Sequence, residues 1–184
     1  MNCTNALRRT PRQPAQLLPP GQRNGHHLTS RPLRTGGTWR AEHVHDPDAQ
    51  SPAGGVSSTV RDMSKWLRLQ LGNGTFKGRQ VVDADALEET HLPHMVSEPP
   101  HSPAGRTGFY GLGWNVSYDD QGRLKLGHSG GFALGAATNV ALLPSEKLGI
   151  VVLTNGEPIG VPEAISATFL DSTLRRRAGR PSTG

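Results

Sequence analysis

The chain has 184 residues, formal net charge +5, 34% apolar and 5% aromatic residues, with 23 Gly and 15 Pro. This is a length for one domain, with an apolar share low enough that part of the chain buries little. No apolar run reaches the roughly 18 residues of a membrane-spanning helix, Met1–Arg9 holds no apolar export signal, and the single Cys3 excludes an internal disulfide framework.

Residues 1–38 read as a disordered basic leader, in which prolines and glycines interrupt every short apolar pair. Seven arginines and no acid fall within residues 1–40, and Arg175, Arg176, Arg177 and Arg180 add a second basic stretch. Between them, nine Lys/Arg face fifteen Asp/Glu, so the basic character belongs to the two ends. Such arms can bind a polyanion. No aromatic stands among the leader arginines before Trp39, so a stacking platform for bases is missing and nucleic acid is not the favoured partner.

An incomplete domain is expected over 39–178, followed by a flexible tail at 179–184. Ser51-Pro52-Ala53-Gly54-Gly55 reads as a tight turn. Thr59 and Asp62 then form a reciprocal cap for a helix whose stripe is Val60, Met63, Trp66, Leu67 and Leu71, ended by Gly72 and Gly74. A short helix is expected over Asp85–Thr90, capped by Asp83 or Asp85 and stopped by Pro93. Residues 96–107 read as a surface loop.

The period then changes to two. Leu112, Trp114, Val116 and Tyr118 alternate with smaller or polar residues as a half-buried strand. Arg123–Gly127, Ala136–Leu143 and Leu148–Thr154 follow across short turns, which predicts an antiparallel meander of about four strands. A last helix begins around Pro162, with Ile165, Phe169 and Thr173 on one face and Leu170 and Leu174 on the next. The fold class is therefore α+β, an antiparallel sheet packed with helices.

One cluster looks like chemistry. Gly127-His128-Ser129-Gly130-Gly131 satisfies G-x-S-x-G, the nucleophile elbow of α/β-hydrolases. In that fold the triad histidine follows the serine, and none of the eight histidines here follows Ser129. The elbow reading fails for want of its base. His43 and His45, or His91 and His94, could each present two imidazoles together, but a zinc site needs three or four convergent ligands. No metal or cofactor is expected.

Four ordered motifs carry a better match. Pro52–Leu67, Tyr110-Gly111-Leu112-Gly113-Trp114, His128-Ser129-Gly130-Gly131 and Pro144–Asn155 together resemble the C-terminal part of the serine β-lactamase and penicillin-binding protein superfamily. The nearest branch is the β-lactamase-related hydrolases, including class C-like enzymes, esterases and D-aminopeptidases. The resemblance implies acyl-serine hydrolysis of an amide, β-lactam or ester by the complete family protein. It also implies that His128 replaces the third motif's lysine, that Ser129 hydrogen-bonds substrate, and that the Gly131 N–H, beside Gly130, donates to the oxyanion.

The family's nucleophile lies in Ser-x-x-Lys and its second motif is Tyr-x-Asn or Ser-x-Asn. Three residues before Lys65, Lys77, Lys125 and Lys147 stand Asp62, Gly74, Gly122 and Pro144, and neither tyrosine nor any serine is followed two later by asparagine. The expectation is a C-terminal fragment inactive alone, with an apolar edge or face on which a missing N-terminal half could dock. The alternative is a non-catalytic binding or interaction module whose basic ends bind polyanions.

Overall fold

The computed structural model describes residues 51–178 apart from Ser57, Ala133 and Leu134. The leader, residues 39–50 with His43 and His45, and the 179–184 tail lie outside the described residues.

The expected turn at Ser51 is a single helical turn, α1 (Ser51–Gly54). Helix α2 (Val60–Leu71) starts where its cap dictates: the Asp62 N–H donates to the Thr59 hydroxyl oxygen at 3.2 Å, and that hydroxyl donates to the Asp62 carboxylate at 3.1 Å. A cap of this kind contributes about 1 kcal/mol. A two-stranded ribbon, β1 (Thr75–Phe76) and β2 (Arg79–Gln80), leads to α3 (Ala84–His91), whose N-cap is Asp83.

The main sheet then runs in chain order as β3 (Met95–Glu98), β4 (Gly108–Tyr110), β5 (Asn115–Tyr118), β6 (Leu124–Phe132), β7 (Ala136–Leu143) and β8 (Leu148–Thr154), every neighbouring pair antiparallel. A 3-10 turn, Pro144–Glu146, joins β7 to β8, and α4 (Val161–Ala178) ends the described chain.

The meander is correct and its strand count is not: there are six strands where about four were expected. The first four residues of what reads as a loop up to Thr107 are mostly β3, an exposed strand with prolines on both flanks. The fold class stands, as a mixed α+β arrangement in three layers. On one face α2 packs Leu67 against Trp114, Val116, Leu126, Val140 and Leu142, with Met63, Trp66, Leu71 and Phe109 at the margin. On the other, Leu170 of α4 packs against Ala141, Leu143 and Leu148. Strand β7 is consequently buried on both faces, which explains its nearly continuous apolar run.

One local reading needs correction. Leu112 is 56% exposed and lies outside the alternation that holds for Trp114 and Val116. Gly113, at φ +92°, turns the chain between Leu112 and β5 and breaks the period. In α4 the buried line is Pro162, Ser166 and Leu170, while Ile165 and Phe169 are 45% and 37% exposed.

Polar ties close the ends of the layers. Arg123 donates Nε to Asp119 Oδ2 at 2.7 Å and Nη1 to Glu146 Oε1 at 2.9 Å, and Arg177 of α4 donates to the Glu146 carbonyl at 2.8 Å. Burial pushes the Asp119 carboxyl up, but hydrogen bonds from the Arg123 and Gln121 amides and the Arg123 guanidinium leave it below its ordinary value. Lys147 reaches back to the Leu71 carbonyl at 3.1 Å, placing a cation at the negative end of α2.

Behind α2, the Trp66 and Trp114 rings stack at 5.4 Å, and His91 lies edge-on to Trp114 at 5.6 Å with Nε2 3.0 Å from Gln70 Oε1. Burial lowers the His91 pKa from its ordinary 6.5.

Two outcomes follow from this packing. Leu126 is wholly buried, so Leu126→Ala is expected to destabilise by about 2–5 kcal/mol in urea unfolding; a loss well below that range would mean the sheet face can collapse onto α2. Because the unfolded chain protonates His91 more readily than the folded one, the stability His91 contributes is complete above pH 6.5 and falls as pH drops below it. Urea midpoints for His91→Gln should therefore fall less steeply from pH 7 to pH 5 than those of the parent; parallel curves would contradict the burial argument.

Candidate active site

The four residues singled out by sequence, His128, Ser129, Gly130 and Gly131, are consecutive on β6, inside the strand rather than between strands. Their position in the sheet is unusual. Strand β5 pairs with β6 only as far as Gly127, opposite Asn115, whereas β7 pairs with β6 continuously from Leu126 to Phe132. From His128 to Gly131, among the described residues, β6 therefore has a paired strand on one side and none on the other. Along a free edge, alternate residues direct both N–H and C=O away from the sheet. All four residues are exposed.

Side-chain alternation divides them. His128 follows Leu126 on the α2 side of the sheet, and Ser129 faces the α4 side. The His128 Nδ1 lies 2.8 Å from the Gly113 carbonyl oxygen. A carbonyl only accepts, so Nδ1 carries a proton and donates it to Gly113. The Tyr110 ring stands beside it, centroids 6.4 Å apart.

Ser129 Oγ accepts from Asn139 Nδ2 at 2.9 Å across the β6–β7 ladder, leaving the Ser129 proton free to donate outward. Asn139 is 9% exposed, and its Oδ1 is buried with no hydrogen-bond partner among the described residues. The glycines are sterically required. A Cβ on Gly130 would stand 2.7 Å from Thr138 Oγ1, and one on Gly131 would stand 2.9 Å from Pro158 Cβ. The first motif meets the third here as well: the Phe132 ring packs so closely on Gly54 of α1 that a Cβ there would lie 2.8 Å from Cζ.

Three participants escaped the sequence reading of the site: Gly113, Tyr110 in its contact with His128, and Asn139. Asn139 had a signal, as the lone amide within the apolar run Ala136–Leu143. The histidine pair at His91 and His94 does not converge on one point. His91 is engaged with Gln70, and His94 Nε2 lies 3.0 Å from the Glu89 carbonyl. No group of three or more His, Cys, Asp or Glu able to hold a metal occurs among the described residues. No helix among them is long and apolar enough to cross a membrane.

Comparisons with known proteins agree with one another. A curated relative, Beta-lactamase-like protein 1 of Dictyostelium discoideum, is 29% identical over 130 residues, covering 62% of this chain and 20% of that protein. Among solved structures, a class C β-lactamase from Rhodobacter sphaeroides superposes with TM-score 0.57 at 20% identity, covering 79% of this chain and 46% of its own. An octameric penicillin-binding protein homologue from Pyrococcus abyssi gives 0.51 at 24% identity, covering 64% of this chain and 24% of its own. These structures share the fold, and the chain spans about a fifth of the curated relative and less than half of either structure. The family model described as Beta-lactamase matches residues 14–174, and the chain belongs to that family.

Proposed function

We propose that this chain forms the third-motif side of a β-lactamase-related serine hydrolase acting on an amide, β-lactam or ester, and that it does not catalyse acyl transfer by itself. The observation that carries this reading is the stretch of β6 from His128 to Gly131, which no strand among the described residues pairs on the β5 side, with the Ser129 hydroxyl held by a buried asparagine. An acyl carbonyl lying along that stretch would meet backbone N–H groups at the point where a tetrahedral intermediate gathers negative charge, and such donors are worth several kcal/mol when prepositioned. In this reading Gly131 N–H donates to the oxyanion, Ser129 donates to the substrate, and the His128 ring occupies the position of the motif's lysine.

The nucleophile must come from elsewhere. Acyl transfer forms a bond between serine oxygen and acyl carbon, expels the leaving group with a proton, and returns the serine when water attacks the ester. Ser129 is poorly suited to begin this sequence. Its hydroxyl is held by an amide donor, and neither a lysine nor a histidine is hydrogen-bonded to it to take its proton. The sequence holds no Ser-x-x-Lys or Tyr-x-Asn. Loss of the nucleophile removes most of the rate and leaves only binding and oxyanion effects.

We infer further that an N-terminal part carrying Ser-x-x-Lys docks along β8. Among the described residues that strand pairs only with β7, and its seven residues, Leu148–Thr154, include no charge and no proline. Leu153 at its outer end is 38% exposed, and Ile165 and Phe169 of α4 are exposed apolar residues. The small share of each relative that this chain spans supports an occupant supplied by the remainder of such a protein. The polyanion reading has less support, since Arg177 of the C-terminal basic stretch is bound to Glu146.

Intact-mass spectrometry of the 184-residue chain after incubation with a penicillin or an activated ester should show no acyl adduct; a stoichiometric adduct would overturn the inactivity of the chain alone. Sedimentation of the isolated chain should show self-association that rises with concentration. Leu153→Lys should reduce it, because a charge on an edge strand blocks edge-to-edge pairing. Unchanged association in that variant would remove β8 as the docking edge.

A further inference from the structure

A concavity lies on the sheet face opposite α2. It is an open groove of about 420 Å³ lined by Ser97 and Glu98 of β3, Asn115 and Ser117 of β5, and Lys125 and Gly127 of β6. Its origin is local. In the β5–β6 ladder Asn115 faces Gly127 and Ser117 faces Lys125, so these four share the face that Val116 and Leu126 leave. A register shift between Val96 and Glu98 interrupts β3 and brings both Ser97 and Glu98 to the groove. Between the banks runs β4, where Gly108 pairs with Glu98 and has no side chain to fill the space.

The lining is polar and unspent. None of Ser97, Glu98, Asn115, Ser117 or Lys125 commits its side chain to a hydrogen bond or ion pair with another described residue. Elsewhere on the sheet the charges are committed: Arg123 to Asp119 and Glu146, Arg177 to Glu146, Arg106 to Asp120. The groove therefore offers one carboxylate on one bank, one ammonium on the other, and an amide with two hydroxyls available as donors and acceptors. Glu98 makes a simple anion a poor ligand, and one carboxylate is too few for a metal ion.

We propose that this groove binds a short peptide with both ends free, its ammonium at Glu98, its carboxylate at Lys125, and its amide read by Asn115 and Ser117. The size agrees. Three strand spacings separate the backbones of β3 and β6 by about 14 Å, and the Glu and Lys side chains reach inward from each bank. Two or three residues place peptide termini about 6–10 Å apart. The site asks nothing of acyl transfer, so its failure would leave the reading of the β6 edge untouched.

The test is a titration of the isotope-labelled full chain with alanyl-alanine, followed by amide chemical shifts, with N-acetyl-alanyl-alanine amide as the blocked control. Exposed charge pairs are weak, so binding is expected in the millimolar range. The unblocked peptide should shift Glu98, Asn115, Ser117 and Lys125 saturably, and the blocked one should not. Lys125→Met and Glu98→Gln should each weaken binding about fivefold, the effect of one exposed ion pair, without moving the unfolding midpoint, since both side chains are exposed. Equal binding of the blocked peptide, shifts confined to His128–Gly131, or no saturable shift up to the peptide's solubility would overturn the proposal.

Discussion

The pairing of β6 with β7 is the constraint on which the rest of the structure depends. Seven consecutive pairs, from Leu126 opposite Leu142 to Phe132 opposite Ala136, fix which side of β7 faces which helix. Val140 and Leu142 go to α2, and Ala141 and Leu143 go to α4. A slip of one residue would turn Val140 and Leu142 toward α4, into a layer that accommodates Ala141 between Leu143 and Leu170. The same register sets Ser129 against Asn139 and Gly130 against Thr138. The geometry of the site is thus a consequence of core packing.

Strand β6 changes character along its length, and the change has one local cause. Up to Gly127 it is an interior strand with β5 beside it; from His128 to Gly131 no strand among the described residues pairs on that side. Strand β5 begins only at Asn115 because Gly113 takes a left-handed conformation and turns the chain away. The carbonyl of that same glycine holds the His128 ring. One turn therefore ends the β5 pairing and holds the imidazole next to it, which couples the two in a single backbone feature. The glycine pair serves two ends likewise. Thr138 and Pro158 leave no room for a Cβ, and the exposed edge stays clear for an incoming backbone.

The fold was legible where local chemistry and burial agree. The Thr59 cap, the Asp83 cap, the stripe of α2 and the three strands after Gly122 all follow from periods that tertiary contacts reinforce. Legibility failed where burial is absent. Strand β3 is exposed along its whole length, so no alternation marks it, and Pro93, Pro99 and Pro100 suggest a loop. In α4 the sequence offered two apolar faces, and only the contact of Leu170 with Ala141, Leu143 and Leu148 decides which one is buried. At the site, the motif was readable and its supports were not. Asn139 and the Gly113 carbonyl act across strands 10 and 15 residues away, a relation that linear spacing does not carry.

The two edges of the sheet are built in opposite ways, and the difference bears on what each is for. Strand β3 is four residues long, bounded by prolines, shifted in register and ended by a carboxylate, all features that discourage another strand from adding to it. Strand β8 is seven residues of Leu, Gly, Ile, Val and Thr, without interruption, and α2 and α4 lie over its two faces without covering its outer hydrogen-bonding edge. Water can satisfy that edge, with Leu153 left partly exposed on the strand. Pairing with a further strand would satisfy the backbone groups. Among the described residues one edge is guarded against strand addition and the other is not, and the docking edge proposed above rests on that asymmetry.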